Sequence, residues 1–109
     1  MNSKESIIVG NEKIIVRPDP DLADEATWYL GQLGEYAKNI KEAVFRGDFE
    51  TVLEIGHRVK GSAESFGFDG ASDIGRALEQ AAKDNDAAAV KAAADRFSDY
   101  LRSVELVFE

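Results

Sequence analysis

His57 is the only histidine in the 109-residue chain and there is no cysteine, so any imidazole chemistry must occur at this one position. A neutral imidazole carries a free ring-nitrogen lone pair near physiological pH and can attack an activated phosphoryl group. At roughly 100° per residue, His57 lies about 160° around a helix from Ile55 and Val59, which leaves it pointing away from the stripe that must face a core. The same rotation gathers Leu53, His57, Lys60, Gly61 and Glu64 on one outward strip, since residues three and four apart are helix neighbours.

That strip is unusual for a solvated face. Leucine stands where a polar residue would serve, and a mid-helix glycine lowers stability by about 1 kcal/mol relative to alanine. A docking surface accounts for both. Gly61, one turn beyond His57, leaves the imidazole unshielded so that a partner's backbone or phosphate can approach, and Leu53 offers an apolar contact. Lys60 puts an ammonium within reach of a dianionic group on His57. Arg58 points more sideways and is the weaker cation. Glu64 adds a carboxylate to the same strip and can pair with Lys60 or Arg58. A lone exposed histidine on a helix is usually an ordinary surface residue; the register of Lys60, Gly61, Ser62, Ala63 and Gly67 with it changes the reading. Ser62 and Ala63 themselves read as small packing residues.

Other chemistries lack their parts. One histidine and no thiolate leave no multi-histidine or cysteine metal site. Asp19, Asp21, Asp24 and Glu25 lack the loop spacing of a calcium site and read as helix N-terminal charges. No glycine-rich phosphate loop follows a strand, which argues against a self-sufficient kinase and against a cofactor of the chain's own.

The elements that must position His57 follow from the apolar spacing. Leu22, Ala26, Tyr29, Leu30, Leu33, Ala37, Ile40 and Val44 predict one long helix or two stacked ones, with Gly31 and Gly34 weakening the middle. Gly47-Asp48 reads as stop and N-cap. A second helix is expected from about Phe49 to Phe66, ended by Gly67, with Val52, Ile55, Val59, Ala63 and Phe66 inward. A third, N-capped by Asp69, carries Ala71, Ile74, Gly75, Leu78, Ala81 and Ala82 on one face. After the break at Lys83-Asp84-Asn85-Asp86, a fourth is expected from Ala87 to Val107, with Val90, Ala93, Ala94, Phe97, Leu101, Val104 and Phe108 inward. The phenylalanines, Trp28 and Tyr29 read as core or as caps over the bundle end. Short polar connections make this an all-α, antiparallel four-helix bundle, assigned to residues 19–109. Residues 1–18 form an extension or linker in which Ile7-Ile8-Val9 and Ile14-Ile15-Val16 can pair as a short β-hairpin, followed by Pro18 and Pro20.

Composition bounds the partners. Thirteen basic against twenty-one acidic residues give a net charge of −8, which repels a nucleic-acid backbone. Nothing resembles a signal sequence or a membrane-inserting run, so the expected setting is the cytoplasm.

The run His57-Arg58-Val59-Lys60-Gly61-Ser62-Ala63-Glu64-Ser65-Phe66-Gly67-Phe68 resembles the signature of histidine-containing phosphotransfer (HPt) domains: histidine, lysine three on, glycine four on, a small pair, and glycine ten on. Gly47-Asp48 and a helix bearing Leu78-Glu79 before an Asp-rich turn extend the likeness over roughly residues 20–108. The resemblance implies that His57 carries a phosphoryl group on its outer ring nitrogen and exchanges it with a receiver-domain aspartate, with Lys60 and Gly61 as helpers. Leu53, Arg58 and Glu64 would then be partner contacts. It implies receiver domains, and a sensor histidine kinase, as partners, with magnesium on the receiver. The Phe66-Gly67-Phe68 ending is also similar to the histidine domain of chemotaxis kinases, which shares the fold. Glu64 departs from the family pattern, where many members have a small or neutral residue. The alternative from another class is a helical module that binds receivers without carrying phosphate.

Overall fold

A computed structural model describes residues 5–8 and 13–108, with side chains from Lys13 onward. Four helices form the body: α1 (Ala23–Arg46), α2 (Phe49–Ser62), α3 (Asp69–Lys83) and α4 (Ala87–Ser103). Each touches its neighbours in a closed ring, α1 with α2, α2 with α3, α3 with α4 and α4 with α1. The shared core includes Leu33, Ile40, Val52, Val59, Phe68, Leu78, Val90 and Phe97.

The helix ends follow local chemistry. Asp19 accepts a hydrogen bond from the Asp21 backbone, opening a 3₁₀ turn over Pro20–Leu22 that feeds α1. α1 is a single 24-residue helix running through Gly31 and Gly34, both on its exposed side. It stops at Gly47, whose φ of 71° is left-handed, and Asp48 then caps α2 by accepting from Thr51 N at 3.1 Å. The helical run expected to reach Phe66 tightens into a 3₁₀ turn over Ala63–Phe66 before Gly67, at φ 94°, ends it. Asp69 is the first residue of α3 rather than its cap. Buried Phe68 occupies the cap position and makes no side-chain cap bond.

The fourth helix departs most from expectation. It ends at Ser103, and Val104–Leu106 form a strand, β3, instead of completing the helix to Val107. The reason lies far away in sequence. Strand β1 (Glu5–Ile8) pairs antiparallel with β2 (Lys13–Val16), with Ile7 opposite Ile14, and β2 pairs in parallel with β3, with Ile14 opposite Val104. Val107 N donates to Val16 O at 2.9 Å, extending that ladder. A β-branched segment offered an unpaired strand edge takes the sheet, because strand preference is set by the neighbours a strand finds. The expected hairpin pairing is therefore present; Val9 and the connecting Gly10-Asn11-Glu12 lie outside the described residues. Val16 is fully buried in the helical core.

Three aromatic residues read as inward or capping are exposed: Trp28 at 63%, Phe45 at 93% and Phe108 at 53%. Tyr29, beside Trp28, is buried. Among the described residues no helix is long and apolar enough to cross a membrane.

Candidate functional site

The site begins with two glycines. A Cβ built at Gly56 on α2 would lie 2.8 Å from both the Gly75 carbonyl oxygen and Glu79 N, and one at Gly75 on α3 would lie 2.7 Å from Lys60 N. The two backbones therefore meet directly, which only glycine permits. The Ser72 hydroxyl donates to the Lys60 carbonyl at 2.8 Å and helps fix the register of α3 on α2. One helical turn along, that register brings Glu79 of α3 under His57 and Lys60 of α2.

Glu79 holds both. Its Oε2 lies 2.8 Å from His57 Nδ1 and its Oε1 2.6 Å from Lys60 Nζ. The carboxylate is 8% exposed, whereas the His57 side chain is 66% exposed. Hydrogen bonding from Lys60 first, and from His57 second, holds the Glu79 carboxyl below its usual range. An ionised carboxylate can only accept, so Nδ1 carries a proton, and in the neutral imidazole the free lone pair is then on Nε2.

The depressed Glu79 titration has a consequence for stability. Ionised Glu79 contributes stability that is complete above the ordinary glutamate value of about 4.3, and that is lost as pH falls through the lowered folded-state value. Urea-unfolding midpoints taken from about pH 6 to about pH 3 are expected to fall, and to fall less steeply in Glu79→Gln. Equal slopes would remove Glu79 from the acid response.

The predicted strip is only partly as expected. His57, Arg58, Gly61 and Glu64 are exposed, and a Cβ at Gly61 would meet nothing within 4 Å. The surface at Gly61 is therefore open, one turn beyond His57. Leu53 is half-buried and packs against the core, so it is not the freely exposed apolar residue that its angular position suggested. Lys60 is paired with Glu79 rather than with Glu64, because the α2–α3 seam puts a buried carboxylate closer than the solvated one a turn along.

On the other flank of α2, Ser62 Oγ donates to the Arg58 carbonyl at 2.7 Å. A hydroxyl has one proton, so in the 2.5 Å contact between Tyr29 OH and Ser62 Oγ the tyrosine donates. Burial foremost raises the Tyr29 phenol above its ordinary value. Tyr29 also stacks on Phe66, centroids 4.5 Å apart, which ties α1 to the 3₁₀ turn that follows the helix bearing His57.

Glu79 is the residue the spacing argument missed as part of the site. A signal was present: it falls on the apolar stripe of α3 between Leu78 and Ala82, and a carboxylate there needs a buried partner. Gly56, the other omission, gives no periodic signal because a glycine on a core-facing flank reads as neutral.

Comparison with known proteins gives one result. The family model described as Hpt domain matches residues 26–106, most of the chain. No curated protein and no solved structure matches.

Proposed function

Because the chain belongs to the Hpt domain family, whose members act in two-component phosphorelay, we propose that His57 is its phosphoacceptor and relays the group between receiver-domain aspartates. The observation that carries this reading is the anchoring of Nδ1 on Glu79, which leaves Nε2 of the neutral ring as the free nucleophile of a side chain that is 66% exposed.

The step is a displacement at phosphorus. The Nε2 lone pair attacks an aspartyl phosphate in line, the N–P bond forms, the acyl P–O bond breaks, and the aspartate leaves as a carboxylate. With Nδ1 still protonated, the imidazole ring gains positive charge as the bond forms. Glu79 already faces that charge across 2.8 Å and stabilises it without reorganising. Lys60 keeps Glu79 ionised and stands next to the incoming anion. Reversal of the same step delivers the group onward. Magnesium and the acidic pocket belong to the receiver, and an ATP-dependent kinase domain is an alternative donor to the same nitrogen. Leu53, Arg58 and Glu64 are the candidate receiver contacts.

The test mixes the protein with phosphorylated receiver domains and magnesium and reads intact mass. A single acid-labile phosphate on His57 is expected. Binding without uptake from any receiver or kinase domain would leave a receiver-binding module that carries no phosphate. Glu79→Ala should lower the uptake rate by roughly 10- to 100-fold, the scale of losing one positioned charge-stabilising group. It should also shift the His57 ¹⁵N resonances away from the pure Nδ1–H tautomer. An unchanged tautomer with unchanged rate would remove Glu79 from the mechanism.

A further inference from the structure

The α1–α4 seam lies diagonally across the bundle from the α2–α3 seam that holds His57, since α1 and α4 touch each other and each touches one of the other two. Phe45, in the last turn of α1, projects there at 93% exposure, the most solvent-exposed large apolar side chain among the described residues. Beside it is a groove of about 250 Å³ lined by Lys41, Val44, Phe45, Lys91, Ala94 and Asp95. Val44 and Ala94 belong to the packed interior of the seam and give the groove an apolar floor. Lys41 and Lys91 supply positive charge and Asp95 negative charge. The ion pair there, Lys91 with Asp95, is long at 3.8 Å and well exposed.

A two-fold interface brings a surface against its own copy, so that surface must carry its own complement. This one carries a projecting ring and a groove, and both signs of charge. We infer that the α1–α4 face is a self-association surface whose occupant is a second copy of this chain. Phe45 of each copy enters the groove of the other, and Asp95 of one meets Lys41 of the other. The two rings approach each other near the two-fold axis, where offset stacking is favourable. Both His57 side chains then face outward on opposite sides of the dimer. The net charge of −8 per chain opposes association at long range, and salt relieves that repulsion more than it weakens a desolvated ring contact. The dimer is therefore strongest at high ionic strength. This inference is independent of whether His57 carries phosphate.

Sedimentation equilibrium of the full chain at low and at ~0.5 M salt tests it. A concentration-dependent monomer–dimer equilibrium is expected, stronger at high salt. Phe45→Ser, at an exposed position, should keep the helical circular dichroism and weaken association by about 10- to 100-fold, the scale of re-exposing one phenylalanine. Lys41→Glu should weaken it too, and adding Asp95→Lys should restore it, which keeps the test open if Phe45→Ser misfolds. A strictly monomeric chain up to millimolar concentration at both ionic strengths overturns the inference. So does a dimer indifferent to Phe45→Ser and Lys41→Glu. A monomeric chain whose exchange with a receiver is slowed by Phe45→Ser would assign the face to another protein and overturn it equally.

Discussion

His57→Gln is expected to abolish phosphoryl uptake while leaving the fold intact. The glutamine amide nitrogen has no nucleophilic lone pair, so the rate should drop by at least about a thousandfold, to the background of the assay, as losing the only nucleophile of a covalent step demands. Stability should change little. The His57 side chain is 66% exposed, and what the substitution removes is the Nδ1 contact with Glu79. A shift within about 1 kcal/mol in urea unfolding is the expected size for a single partly exposed hydrogen bond. The two measurements together separate loss of the acceptor from loss of the bundle. Residual phosphate on the variant, located by peptide mapping to any other side chain, would mean that the accepting residue had been misidentified. Receiver binding should survive, because Gly61, Arg58 and Glu64 still present the same face.

Much of this site was legible because it depends on local geometry. The outward direction of His57, the open flank at Gly61, the stop at Gly47 and the cap at Asp48 each follow from residues within one or two turns of each other. The partner of Lys60 did not, because Glu79 is nineteen positions away in sequence (79 − 60) and becomes a neighbour only once α3 has docked in register on α2. Local spacing offered Glu64, and tertiary packing supplied the buried carboxylate instead. Strand β3 escaped for a related reason. Val104, Glu105 and Leu106 continue the apolar rhythm of α4, and only the presence of β2 at the other end of the chain makes extended backbone the better solution. Phe45 and Trp28 were misread because a hydrophobicity pattern treats every large apolar side chain as core, although soluble proteins leave many exposed.

The second large effect tests the seam that makes Glu79 a neighbour of His57. Gly75→Ala places a methyl group 2.7 Å from Lys60 N, 2.8 Å from the Gly56 carbonyl oxygen and 3.1 Å from Val59 Cβ. Two of these atoms are backbone and the third is held by a fully buried valine, so no flexible side chain can move aside. α2 and α3 must separate. Overpacking of this kind costs about 1–3 kcal/mol or more, against which alanine returns up to about 1 kcal/mol of helix propensity. A net loss of about 2 kcal/mol in urea unfolding is expected, large against the margin of a domain this size. Gly34→Ala is the control, since a Cβ there meets nothing within 4 Å. It should raise stability by up to about 1 kcal/mol through propensity alone. The functional consequence distinguishes a seam from a mere packing contact. As the helices part, Glu79 withdraws from Nδ1, the His57 tautomer equilibrium loosens, and phosphoryl uptake slows even where the domain remains folded. Gly75→Ala with wild-type stability and an undisturbed Nδ1–H signal would show that the two helices can slide apart without cost. The position of Glu79 would then need a constraint other than glycine contact.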